Sequence, residues 1–278
     1  MSLNVKRLGA RDQRVQRLRR LLRRSSVRDS EHAFVAEGVR LVEAAFDAQA
    51  RIEELFVSPE WHSSAPTTAV VERAAASGVA VFELGPGIME RIGDTVSPQP
   101  VCAVVESIEL GIDELLSHSA TASANGLVLV CVDVRDPGNL GAVLRIAGAT
   151  GVEGVICCAG TVDPFNPKVV RASAGAVFRV PLVIGASPAE VLEELEKHGY
   201  RRWATVARGG SDYSVAELEG RVALVLGNEG AGLPDEVVRR LDGSLTIPME
   251  SGTESLNVAM TVAVLCFDLA RRRRLSSS

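Results

Sequence analysis

From residue 127 to 134 the chain reads Leu-Val-Leu-Val-Cys-Val-Asp-Val. A strand this continuously apolar must be covered on both faces, which is the situation of a parallel sheet flanked by helices rather than of a solvated hairpin. The sequence that follows alternates as that architecture requires. Helical spacing of apolar residues predicts helices over 140–149, 168–177, 188–198, 234–241 and 256–272, the fourth with Pro234 in its first turn. Strands are expected over 152–158, 180–184, 203–207, 222–226 and 244–247. The predicted fold is therefore α/β, with a parallel-sheet domain spanning 127–278.

Ahead of it, residues 1–106 read as a smaller α/β sandwich. Val15, Leu18, Leu21 and Leu22 form an apolar stripe on a helix over 11–24. A strand at 34–36 leads to a helix over 37–48, with Val39, Val42, Ala45 and Phe46 on one side. Strands are expected at 52–57, 79–84 and 101–106, with a helix over 67–77 closed by Gly78. Small and polar residues dominate 107–126, which is read as a linker, with room for a helical turn at 112–116.

Net charge is −5, but it is unevenly spread. The first 30 residues hold ten basic side chains (Lys6, Arg7, Arg11, Arg14, Arg17, Arg19, Arg20, Arg23, Arg24, Arg28) against Asp12 and Asp29. A concentrated basic segment on an acidic body is suited to phosphate contact, and Arg19, Arg20, Arg23 and Arg24 are its candidate RNA-binding residues. The alternative is an amphipathic helix whose arginines simply face water. Cys102, Cys131, Cys157, Cys158 and Cys266 are odd in number, lie in apolar stretches and include no Cys-x-x-Cys pair, so they read as reduced core thiols. His32, His62, His118 and His198 lack metal-ligand spacing, and no metal is expected. No apolar run reaches membrane-spanning length, so a cytoplasmic protein is expected.

In an open α/β sheet, ligands sit at the carboxyl ends of the strands. Three polar or glycine-rich segments fall there: Asp136-Pro-Gly-Asn-Leu-Gly141, Leu226-Gly-Asn-Glu-Gly-Ala-Gly-Leu233, and Ile247-Pro-Met-Glu-Ser-Gly252 with Ser255-Leu-Asn257. The dinucleotide fingerprint is missing, because the first loop supplies only Gly138 and Gly141 and no carboxylate follows the second strand until Asp163. A Walker phosphate loop is missing too. Gly227, Gly230, Gly232 and Gly252 instead suggest loops whose backbone approaches a flat ligand closely.

These segments resemble the three signature motifs of the SpoU (TrmH-type) branch of the SPOUT RNA methyltransferases. Asn139-Leu-Gly-Ala-Val-Leu-Arg145 is similar to the first, Leu226-Gly-Asn-Glu-Gly230 to the second, and Ile247-Pro-Met249 with Ser255-Leu-Asn257 to the third. Residues 1–106 resemble, more weakly, the ribosomal-protein-like substrate-binding domain often fused ahead of it, especially around Phe34-Val-Ala-Glu-Gly38 and Leu55-Phe-Val-Ser58.

The resemblance implies S-adenosylmethionine-dependent methylation of a ribose 2′-hydroxyl in RNA, with ribosomal RNA favoured over transfer RNA. It further implies a deep trefoil knot and an obligate homodimer. Cofactor-binding residues would be Leu226, Gly227, Ile247, Pro248, Met249 and Leu256. Asn139, Arg145, Glu229, Ser255 and Asn257 would form the catalytic group, and Arg171 would grip RNA phosphate. Arg145 is read as clamping phosphate and positioning the 2′-oxygen, since a guanidinium stays protonated. Asn139 would hold Arg145 and the ribose, or merely cap its helix, and Glu229 would orient Arg145 or nearby backbone. The competing readings are a non-catalytic RNA-binding protein that retains the fold and a nucleotide-dependent oxidoreductase.

Overall fold

A computed structural model describes residues 5–93, 99–122, 125–250 and 255–276. The chain divides into two compact units, one of residues 1–107 with 165–178, the other of residues 108–164 with 179–278.

The first unit is built on a five-stranded mixed sheet. Its elements are β1 (Lys6–Leu8), α1 (Gln13–Arg23), α2 (Ser25–Glu31), β2 (Ala33–Glu37), α3 (Val39–Asp47), β3 (Ile52–Val57), α4 (Ala65–Ala76), β4 (Ala80–Leu84), α5 (Met89–Ile92) and β5 (Val101–Glu106). Strand order is β1-β4-β3-β5-β2. The basic segment is folded into this unit: β1 pairs with β4, and α1 buries Val15, Leu18 and Leu21 in a core shared with Phe56, Leu84 and Val104. Leu22, expected on the same stripe, is only half-buried at its edge. The helix expected over 37–48 begins two residues later. Glu37 stays in β2, and Gly38 turns the chain at φ 103°, a conformation that favours glycine.

Residues 165–178 join this unit through aromatic packing. Phe34 stacks on Phe165 at 4.7 Å and on Phe178 at 5.7 Å between ring centroids. The single helix expected over 168–177 is a short helix, Pro167–Ala172, followed by a 3-10 turn, Ala176–Phe178. Ala174 and Gly175 separate them at φ 50° and 90°. A side chain at 175 would collide with Ala44.

The second unit carries a seven-stranded, wholly parallel sheet, as the apolar strand at 127 requires. Continuing in chain order, with α8 denoting the Pro167–Ala172 helix, its elements are α6 (Ile112–Ala122), β6 (Leu127–Cys131), α7 (Pro137–Thr150), β7 (Gly154–Cys157), β8 (Leu182–Ile184), α9 (Pro188–Lys197), β9 (Arg201–Thr205), β10 (Ser211–Asp212), β11 (Val222–Leu226), α10 (Asp235–Val238), β12 (Gly243–Thr246) and α11 (Val258–Ser276). The order is β10-β12-β9-β11-β6-β7-β8, so β11 and β6 lie side by side at the middle. Helices cover both faces: Val128, Val130 and Val132 pack with α9 residues Val191, Leu192 and Leu195, and α7 packs on α11 on the other side.

The stretch expected as a linker instead contributes α6, whose Leu115 and Leu116 are buried in this core. Its small polar residues concealed two apolar anchors one helical turn in. All five cysteines are buried and free. Burial pushes the Cys158 and Cys266 thiols up to about 12, so they are protonated core groups. Among the described residues, no helix is long and apolar enough to cross a membrane.

Candidate active site

The carboxyl ends of β6, β9, β11 and β12 surround a cavity of about 410 Å³, within the range of small-ligand sites. Its lining comes from all three sequence segments. Asn139 belongs to the first, Gly227, Asn228, Glu229, Gly230 and Gly232 to the second, and Ile247, Met249, Ser255, Leu256 and Asn257 to the third. Ser251, Gly252, Thr253 and Glu254 lie outside the described residues.

The second segment is shaped by glycine. A Cβ at Gly227 would sit 2.4 Å from the Gly232 carbonyl carbon and 2.6 Å from the Leu233 nitrogen, so the two backbone stretches touch only because position 227 has no side chain. Asn228 and Gly232 exchange backbone hydrogen bonds at 3.0 and 2.9 Å. The Asn228 side-chain oxygen accepts from the amides of Gly230 and Ala231, both at 3.0 Å. Its Nδ2 donates to the Asp133 carbonyl at 2.9 Å and thereby ties the second loop to the first.

Glu229 makes the same connection one residue on. Its carboxylate accepts from the amides of Arg135 (3.2 Å) and Asp136 (3.0 Å) and from Asn139 Nδ2 (3.0 Å). Burial alone would raise this carboxyl, but these donors together outweigh it and hold Glu229 below the usual carboxylate range. Glu229 therefore bonds backbone of the first loop, and among the described residues it has no bond to Arg145.

Asn139 is not a helix cap. Asp136 caps α7, accepting the Asn139 amide at 2.9 Å, which places Asn139 in the first turn with its side chain free to turn outward. Asn257 Nδ2 donates to Asn139 Oδ1 at 2.7 Å. Asn257 Oδ1 meanwhile accepts from the Ala259 amide at 2.9 Å at the start of α11. A continuous chain, Asn257 to Asn139 to Glu229, thus joins all three segments.

Three expected site residues stand apart. Leu226 is fully buried at the end of β11, where its carbonyl accepts from Val132. Pro248 is exposed and Arg145 projects from α7 into solvent; neither lines the cavity. Arg145 has no hydrogen-bond partner among the described residues, so the expectation that Asn139 holds it is replaced by the Asn257 and Glu229 contacts. Arg171 belongs to the first unit, where Glu37 faces it at 3.4 Å. Of the N-terminal arginines, Arg20, Arg23 and Arg24 are exposed and Arg19 is half-buried. Arg14 and Arg17 are paired with glutamates instead, and Arg28 is buried against the Leu21 carbonyl. The lining residues that sequence reasoning missed are chiefly Thr205, Val206 and Ala207. They end and follow β9, whose place beside β11 is decided by strand order and not by local pattern.

Residues 126–267 match the model of the SpoU rRNA Methylase family, about half the chain. The chain belongs to the SpoU family. Ahead of the SpoU domain, residues 12–103 match an MRM3-like substrate binding domain. The 23S rRNA (guanosine(2553)-2′-O)-methyltransferase RlmP of Bacillus subtilis is 30% identical over 261 residues, 94% of this chain and 97% of that protein. An AdoMet-bound rRNA methyltransferase from Sinorhizobium meliloti superposes with a TM-score of 0.82 at 30% identity, covering 97% of this chain and 98% of that one. The SpoU methyltransferase AviRb from Streptomyces viridochromogenes, in complex with AdoMet, gives a TM-score of 0.83 at 26% identity, over 95% and 99%.

Proposed function

We propose that this SpoU protein transfers a methyl group from S-adenosylmethionine to a ribose 2′-hydroxyl of ribosomal RNA. The observation that carries the reading is the hydrogen-bonded chain Asn257–Asn139–Glu229, which holds three sequence-distant motifs around one cavity.

The residues present suit that cofactor. Gly227 and Gly232 form a narrow backbone cradle, Ile247, Met249 and Leu256 supply an apolar wall, and Glu229 is an anion on the cavity edge. When bound, S-adenosylmethionine supplies a methyl group made electrophilic by its sulfonium. The chain's own contribution is orientation and charge. Asn139 and Asn257, each fixed by the other, present amide groups to the ribose. The Glu229 carboxylate is engaged by three donors and stays ionised, which suits it to structure and not to taking a proton. Arg145, exposed and without a partner among the described residues, clamps a phosphate of the RNA and sets the 2′-oxygen in line.

An exposed apolar face on α11 bears on assembly. α11 turns one face to α7 and leaves Met260, Val264 and Phe267 62%, 36% and 50% exposed, an i, i+4, i+7 stripe suited to a second copy of the chain. A homodimer, a deep trefoil knot in the C-terminal domain and a cytoplasmic location complete the proposal. The first unit, with its exposed Arg20, Arg23 and Arg24, serves as the RNA-binding module.

Arg145→Ala is the test. Tritiated methyl transfer to ribosomal RNA is expected to fall at least a hundredfold, while S-adenosylmethionine affinity stays within a few fold. Equal loss of both would reassign Arg145 to the cofactor. A wild-type protein that binds S-adenosylmethionine and RNA but transfers nothing would favour the non-catalytic reading.

A further inference from the structure

The loop between β6 and α7 carries a cation, Arg135, whose backbone is bonded to a residue of the cavity wall. Arg135 Nε donates to Asp133 Oδ1 at 2.8 Å, while the Arg135 amide donates to the cavity residue Glu229 at 3.2 Å. Both ends of the residue are therefore anchored to the site. Its side chain is nevertheless 73% exposed, and Nη1 and Nη2 have no partner among the described residues.

Asp133, which holds it, is itself in an unusual state. Its backbone is left-handed at φ 57°, a conformation aspartate tolerates better than most side chains. Asn228 Nδ2 fixes it from below, donating to its carbonyl at 2.9 Å and to Oδ2 at 3.3 Å. Gly160 leaves room opposite: a Cβ there would come within 3.2 Å of Asp133 Oδ1. A solvent-exposed ion pair contributes little to stability. Its consequence is geometric, since tethering Nε leaves the two terminal nitrogens as a preset fork, the donor arrangement a phosphodiester accepts. In a chain whose residues 31–278 carry 20 basic and 33 acidic side chains, a cation fixed at the cavity edge is a local exception.

We propose that Arg135 binds a backbone phosphate of the substrate RNA at the active site, with Asp133 as the positioning residue that aims it. The identity of that strand rests on the methyltransferase reading above; the phosphate contact itself is tested separately.

Full-length wild type, Arg135→Gln, Arg135→Lys and Asp133→Asn are compared on ribosomal RNA from cells lacking the gene. For Arg135→Gln, the KM for RNA is expected to rise about tenfold or more, with kcat and S-adenosylmethionine Kd within about threefold. The slope of log Kd for RNA against log salt should flatten by about 0.7 to 0.9, one phosphate's worth. Arg135→Lys should restore the slope, because the charge remains, but only part of the KM, because the fork is lost. Asp133→Asn, which keeps a residue suited to left-handed backbone, should keep the slope and raise KM. An unchanged slope and Kd in Arg135→Gln would overturn the contact, as would a parallel loss of S-adenosylmethionine binding. An Asp133→Asn protein that behaves as wild type would overturn the positioning role. Should wild type transfer no methyl group, the functional reading fails, while the binding slope still decides the role of Arg135.

Discussion

At the scale of single residues, the site depends on atoms that are missing as much as on those present. Gly227 is the clearest case, because a methyl group there meets the backbone of Gly232 and Leu233. Gly227→Ala is expected to weaken S-adenosylmethionine binding by tenfold or more in calorimetry, from overpacking of about 1–3 kcal/mol, while melting stays cooperative. Unaltered affinity would separate the glycine loop from the cofactor. Glu229 yields a pH prediction. Its folded value lies below the ordinary one, so its contribution is present above the usual glutamate value and lost as pH falls through the folded value. Cofactor affinity should stay level from pH 8 to about 5 and decline only below about 4.3; decline already near pH 6.5 would point to a different group. The motif residues Asn139, Glu229 and Asn257 were legible from their chain positions. Their pairing was not, since spacing cannot show that an amide faces residue 257 rather than Arg145. Gly243 matters for a different reason. It makes room for the Trp203 ring, which approaches within 2.5 Å of where its Cβ would be.

At the scale of elements, periodicity served well where burial is one-sided or complete. Strands β3, β5 and β11 fall on the expected residues, and α1, α4 and α9 lie within a residue or two of expectation. Short elements escaped. β1 and β10 have three and two residues and exist through their neighbours β4 and β12. The basic segment shows why composition alone misleads about mechanics: its arginines suggest phosphate contact, yet the helix that carries them buries Val15, Leu18 and Leu21 completely. Deleting residues 1–30 would therefore unfold the first unit instead of testing RNA contact. Reversing exposed charges is the appropriate change. Arg20→Glu with Arg24→Glu should leave circular dichroism and melting unchanged, weaken RNA binding severalfold and flatten its salt slope by about 1–2. A salt slope equal to wild type would remove this helix from the interface.

At the scale of the whole molecule, the parallel sheet of the second unit follows from the apolar strand at 127 and the alternation after it. Strand order did not follow, and with it went the contribution of Thr205–Ala207 to the cavity. The segment 165–178 shows the same limit, since its assignment to the first unit depends on Phe34 meeting Phe165 and Phe178 across 130 or more intervening positions. The exposed stripe on α11 carries the assembly prediction. Phe267→Asp should convert a dimer to a monomer in light scattering without loss of helix content; a wild-type monomer would refute the interface. Methylation chemistry is decided most directly by the position of the new methyl group. Ribosomal RNA from cells lacking the gene, incubated with the protein and S-adenosylmethionine, should acquire one site whose 3′ phosphodiester resists alkaline cleavage, because a methylated 2′-oxygen cannot attack it. Methyl incorporation with every linkage still alkali-labile would place the group on a base and contradict ribose methylation.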